Sequence, residues 1–249
     1  MLGDPTFLVA AVAAIAIAGL SKGGFGSGAA FAATPILALA VSPAQAAAIL
    51  LPILMLMDLT GLYAYRKNLN LRAAWPLMAA CVVGVGAGWI FFRSVDENSL
   101  RLMLGALALG FLAHQLLKDR TPQPPKAAKT ASAALWGGLA GFTSFVAHAG
   151  GPLVAMHLIP QKLEKTAYQG ATVLFFWWVN LIKLGPYAAL GLLSSENLTT
   201  SLALAPLAPV AMLLGVWAHH RVSEIWFYRT IYALLAVTGV KLIWDGLGL

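Results

Sequence analysis

Residues 18–28 read AGLSKGGFGSG, and residues 140–150 read AGFTSFVAHAG. The two stretches align without a gap at an offset of 122 (140 − 18) in a chain of 249 residues. Each interrupts a long apolar run near its centre. The correspondence extends outward from them. Gln45 answers to Gln169, Asp58 to Asn180 and Tyr65 to Tyr187. Late in each half, Arg93-Ser94-Val95-Asp96-Glu97 answers to Arg221-Val222-Ser223-Glu224, and Arg101 to Arg229. A duplicated membrane chain with helices broken at matching places implies a secondary transporter whose site lies where the copies meet.

Composition agrees with a membrane chain. Hydrophobic residues make up 60% and charged residues 10%, against roughly 25% charged in soluble domains. Long uncharged runs recur at 6–20, 23–57, 73–92, 130–161 and 197–220. About 20 such residues span the hydrocarbon layer as a helix. The period-two alternation of a membrane β-barrel is missing. The fold class expected is all-α and polytopic. The net charge of +7 comes from single basic residues between apolar runs. That scatter marks membrane orientation and excludes nucleic acid as a partner. Cys81 is the only cysteine, so no intrachain disulfide forms. It reads as a small buried residue. The segment MLGDP lacks the positive flank of a signal peptide.

Eight hydrophobic segments are expected, near 5–41, 44–65, 71–92, 99–118, 131–160, 166–192, 199–218 and 225–246. Residues 1–117 form a first membrane repeat, 118–130 a polar linker and 131–249 a second repeat. The linker, KDRTPQPPKAAKT, carries prolines that cannot continue a helix. The first and fifth segments are too long for one crossing and too short for two. Glycine density at Ser21–Gly28 predicts half-helices at 5–20 and 29–41. The fifth segment divides around HAGGP, with Pro152 placed for the first turn of a new helix.

Charge distinguishes crossing from re-entry. If both broken segments cross, basic residues distribute almost evenly between the two sides. If both re-enter, each half crosses three times and the second half is inverted. The linker side then collects Arg66, Lys67, Arg72, Lys118, Arg120, Lys126, Lys129, Lys162, Lys165, Arg221 and Arg229, and the other side only Arg93 and Arg101. Positive-inside bias selects the inverted arrangement, with a cytoplasmic linker and both chain ends outside.

The candidate substrate-binding residues lie in the breaks. Ser21, Lys22, Gly24, Gly26, Ser27 and Gly28 read as an anion cradle with helix N–H groups, two hydroxyls and a full positive charge. The alternative is a kink where glycine permits tight packing. An ionisable group inside a membrane segment favours function, so Lys22 is expected to face a polar cavity with its charge available. The second break offers Thr143, Ser144, His148, Gly150 and Gly151. His148 stands where the first copy has Gly26 and is a candidate for substrate or proton handling. His157 is a weaker one. Asp58 has two readings, a proton-coupling carboxylate or a structural partner of Lys183 beside Asn180. Gln45 and Gln169 either bind substrate or cap backbone groups. Gly84-x3-Gly88 and Gly137-x3-Gly141 read as close helix packing within one chain. No cofactor or metal is implied, and the sequence assigns no oligomeric state. The chain has no H-E-x-x-H, paired-aspartate or G-x-S-x-G signature, so it is not read as an enzyme.

At these residues the chain resembles a known family. The opening S-K-G-G-F-G-S-G-A…P, the second-half G-F-T-S-F-V-A-H-A-G-G-P and the G-x-h-h-x-x-R-V-S/D-E pattern before each final helix are similar to the TauE/SafE sulfite-exporter family of inner-membrane permeases. The similarity covers the whole chain. It implies a small sulfur-containing anion as substrate, such as sulfite or an organosulfonate, moved outward across the inner membrane by alternating access. It also implies that the substrate path runs through Ser21–Gly28 and Thr143–Gly151. An anion channel, or a transporter of another small anion such as a carboxylate, is the rival reading.

Overall fold

Pro5 opens the first helix because the preceding Asp4 accepts a hydrogen bond from Thr6 N–H at 2.9 Å and proline needs no donor there. The same device recurs. Ser42 caps Pro43–Ala64, Asn70 caps Leu71–Ser94, and Ser194 caps Ser195–Leu204. The computed structural model describes residues 1–25, 29–117, 129–218 and 224–248. The helices are α1 (Pro5–Leu20), α2 (Ala33–Leu37), α3 (Pro43–Ala64), α4 (Leu71–Ser94), α5 (Glu97–Leu117), α6 (Thr130–Ala147), α7 (Gly151–Leu158), α8 (Lys165–Ala189), α9 (Ser195–Leu204), α10 (Leu207–Ala218) and α11 (Glu224–Gly246). No strand occurs among the described residues. The linker residues 118–128, and Arg221–Ser223 of the second R-V-S-E pattern, lie outside them.

Among the described residues, four helices are long and apolar enough to cross a membrane: Pro5–Gly24, α3, α4 and α5. The pair α9 and α10, bent by 43°, can act as a fifth. Apolar side chains face outward, with Val9, Val83 and Leu202 each more than 70% exposed, while Lys22, Asp58 and Lys183 are at most 6% exposed. A soluble protein has the opposite arrangement. The chain is a multi-pass membrane protein. In the α4–α5 turn, the exposed Asp96 caps α5, accepting from Ser99 N–H at 2.8 Å. That bond holds its carboxyl below the usual carboxylate range.

Two segments depart from the sequence expectation. The half-helix expected at 29–41 is instead a 3-10 turn, Ala30–Ala32, and the five-residue α2. The chain must leave helical geometry early, because Pro43 begins α3 and holds Ser42 extended at ψ 151°. The segment expected to run unbroken over 199–218 is bent between α9 and α10. Pro206 lies in the gap, and a proline N has no hydrogen to continue the ladder.

The two limbs of each broken segment touch, α1 against α2 and α6 against α7. Ser132 Oγ near the start of α6 lies 3.0 Å from His157 Nδ1 near the end of α7, joining the two limbs. In the first half, Met1 and Leu2 line one pocket with Ser195, Glu196, Thr199 and Thr200 at the start of α9. Gln45, at the start of α3, reaches the same turn, donating from Nε2 to Asn197 Oδ1 at 3.3 Å. Residues just before and just after the first segment therefore lie near one helix terminus.

The halves interlock. α6 lies along α4 and α1 along α10, while α5 packs on α11 and α3 on α8. Glycines permit the α4–α6 seam. A Cβ at Gly84 would stand 2.8 Å from the Gly138 carbonyl carbon, and Gly137 and Gly141 meet Leu77 and Cys81 as closely. Gly84→Val is expected to cost about 1–3 kcal/mol by overpacking and to lower the thermal midpoint of the purified protein.

Candidate functional site

The helix of the first segment does not simply stop at its glycines. It continues past Leu20 as a π-helical turn, Ser21–Phe25. Gly23 makes this possible, since a Cβ there would come within 2.9 Å of Val216 N on α10. The glycine admits a neighbouring helix rather than an oxyanion. The turn is fixed at three points. Tyr65 OH donates to Gly23 O at 2.9 Å, Gln169 Nε2 donates to Lys22 O at 3.2 Å, and Ser21 Oγ accepts from Ala29 N–H at 3.1 Å. The last bond occupies an N–H expected to greet an anion. Gly24 is buried in the turn, and Gly26, Ser27 and Gly28 lie outside the described residues.

The second break ends α6 in a left-handed turn. His148 has φ 52°, a conformation that costs a side-chain-bearing residue about 1–2 kcal/mol. Glycine occupies the aligned position, Gly26, in the first copy. Both ring nitrogens of His148 are held: Nε2 lies 3.0 Å from Ala47 O and Nδ1 2.8 Å from Lys183 Nζ. A carbonyl only accepts, so Nε2 carries a hydrogen, and Nδ1 is placed to accept from Nζ. Thr143 Oγ1 donates to Leu139 O at 2.9 Å and contributes nothing to the interior space. Tyr187 OH donates to Phe145 O at 2.6 Å. This bond matches Tyr65 to Gly23 residue for residue at the offset of 122. Gly150 caps α7, and Gly151 begins it.

Between the breaks sits a buried polar cluster. Lys22 Nζ forms an ion pair with Asp58 Oδ1. Asp58 Oδ2 accepts from Asn180 Nδ2 at 2.7 Å. Lys183 does not pair with Asp58, as one sequence reading held. It reaches the second break, donating to Ser144 O at 2.9 Å and Ser144 Oγ at 3.2 Å. Lys22 likewise is not an uncommitted charge, because it is paired with Asp58, a partner too distant in sequence to be assigned to it beforehand. Gln45 turns to Asn197 and away from this cluster, whereas Gln169 braces Lys22.

The cluster opens on an interior cavity of about 10 Å³. Lys22, Ser144, His148 and Asn180 form its polar wall, and Leu54 and Phe176 its apolar one. Lys22 Nζ stands 5.2 Å from the centroid of the Phe176 ring, within cation–π range. Phe176 and Leu54 had no sequence signal beyond apolarity. Tyr65 and Tyr187 did, as a matched pair, but their role as braces needed the fold.

The decisive property is the charge count. Among the described residues, the buried charged side chains are Lys22, Asp58 and Lys183. With both lysines protonated, two ammonium groups face one carboxylate, and the site then carries one surplus positive charge in a medium where an isolated charge is costly. An anion offsets it.

Comparison with known proteins gives a family and no individual relative. No curated protein and no solved structure matches the chain. The sequence model of one family, described as sulfite exporter TauE/SafE, matches residues 11–242. That match spans both breaks, every residue of the buried cluster and nearly all of the chain. The protein therefore belongs to the TauE/SafE sulfite exporter family.

Proposed function

We propose that the chain is a secondary transporter of two inverted repeats. It moves a small sulfur-containing anion, sulfite or an organosulfonate, outward across the inner membrane by alternating access. The observation that carries this reading is the pair of buried lysines set against a single buried carboxylate between the two breaks. Lys22, Ser144, His148 and Asn180 are the residues assigned to the anion, with Lys183 behind Ser144. Gln169 and the two tyrosines hold the breaks in place.

Packing supports the inverted arrangement. Asp58 and Asn180 occupy matching positions and touch each other, which happens only near an axis relating the copies. The α1–α10 and α6–α4 contacts exchange under the same relation, and α3–α8 and α5–α11 are each their own counterpart. Re-entry is supported by the Ser132–His157 contact and by Met1 and Gln45 meeting one end of α9. The inverted layout predicts a cytoplasmic linker and an external C-terminus. Reporter fusions at Gln123 and Leu249 check this, and a cytoplasmic signal from both would contradict re-entry.

A carrier fits better than a channel. A cavity of about 10 Å³ has room for about one water. It is too small for an oxyanion of sulfur, so the described conformation is closed and the substrate enters by movement of the surrounding helices. The test is uptake into proteoliposomes, with sulfite, sulfoacetate, sulfate and acetate compared. Saturable uptake and exchange of sulfite or sulfoacetate are expected. High unitary conductance would favour the channel, and preference for acetate would move the substrate to carboxylates.

A further inference from the structure

Lys183 is an unusual buried lysine, because its three partners suit two protonation states. As an ammonium, Nζ has three N–H donors, and Ser144 O, Ser144 Oγ and His148 Nδ1 accept them. As a neutral amine, Nζ has two donors and one lone pair. It then donates to Ser144 O and His148 Nδ1 and accepts from the Ser144 hydroxyl. No contact is lost between the two states. Only the Ser144 O–H turns.

That turn has a consequence for the cavity, which Ser144 lines. When Lys183 is an ammonium, Ser144 Oγ accepts from it and the O–H is directed to the cavity as a donor. When Lys183 is an amine, the O–H points back to Nζ and the cavity loses that donor. Proton and anion thus favour each other twice, through charge and through one hydroxyl hydrogen. The groups facing Lys183 do not replace this role. Lys22 from the π-turn adds like charge, and Asp58 of α3 is bound by Lys22 and Asn180. Cys81 of α4 donates to Met78 O, Tyr187 of α8 donates to Phe145 O, and His148 accepts at Nδ1 in both states.

We infer that Lys183 is the proton carrier of the cycle and that the Ser144 hydroxyl ties its proton to the anion. The inference rests on the anion reading of the site. In the loaded carrier, Lys183 is an ammonium and Ser144 donates to the anion. After the anion leaves, Lys183 releases one proton toward the cavity and the empty carrier returns uncharged at this residue. His148 is a positioning residue, which holds Nζ beneath Ser144.

The test is calorimetric titration of the purified protein with sulfite and with methanesulfonate, a permanently ionised anion. Buffers of different ionisation enthalpy are used across a pH series. Uptake of about one proton per methanesulfonate bound is expected somewhere in the series. Lys183→Arg, whose guanidinium stays charged, should bind without proton uptake. His148→Gln should bind more weakly yet still take up the proton, since an amide can accept from Nζ and donate to Ala47 O. Binding without proton uptake by the wild type at every pH overturns the inference and leaves the anion reading standing. Loss of uptake in His148→Gln, with binding retained, also overturns it, by assigning the proton to the imidazole. Absence of saturable heat with both anions overturns the anion reading and this inference together. If Lys183→Arg does not fold, the wild type and His148→Gln still decide.

Discussion

Replacing Lys22 by methionine is expected to destabilise the folded protein by about 3–5 kcal/mol, because it strands a buried carboxylate. The sequence alone suggested the opposite, a lysine facing a polar cavity and dispensable for folding. The ion pair with Asp58 reverses that expectation, since the side chains of Lys22 and Asp58 are 5% and 0% exposed. Asp58→Ala should be equally damaging, leaving Lys22 uncompensated. The double variant Lys22→Met with Asp58→Asn should recover most of the loss, because it removes both charges together. Thermal unfolding of the four proteins in one detergent measures this. Additive losses in the double variant would show that the pair is not coupled.

Lys183→Met should have the largest effect on anion binding. Its partners are a carbonyl, a hydroxyl and an imidazole nitrogen, all neutral. Its removal strands no charge and should leave folding much less affected than Lys22→Met. It does erase the surplus charge of the site. Removing one partner of a buried charged contact costs about 2–5 kcal/mol of binding, or about 30-fold or more in affinity. Sulfite binding to the purified variant checks this, with its thermal midpoint as the folding control. Unchanged affinity would remove Lys183 from the site.

Much of the architecture was legible because it is written locally. Glycine density and Pro152 located α1 and the α6–α7 break, and self-similarity at the offset of 122 aligned Asp58 with Asn180 and Tyr65 with Tyr187. The fold then turned those alignments into contacts. What stayed hidden was non-local or in competition. Nothing in SKGGFGSG says that Lys22 meets Asp58 rather than a substrate, because that choice depends on α3 crossing beside the π-turn. Lys183 was read as a neighbour of Asn180 in sequence and as a partner for Asp58. Its attachment to Ser144 depends on how α8 passes the second break. The α9–α10 bend falls at Pro206, inside an apolar run that reads as one continuous segment. The glycines of the first break carried two readings, and at Gly23 the packing of α10 decided between them.

The anion is held by one buried positive charge beyond the Lys22–Asp58 pair, that of protonated Lys183. Binding of labelled sulfite to the purified wild type, to Lys183→Met and to the Lys22→Met, Asp58→Asn double variant tests it most directly. The double variant keeps the net charge of the cluster at one, whereas Lys183→Met brings it to zero. Saturable binding is expected of the wild type, weaker but measurable binding of the double variant, and a loss of about 30-fold or more in affinity for Lys183→Met. Binding by Lys183→Met equal to that of the wild type would contradict it.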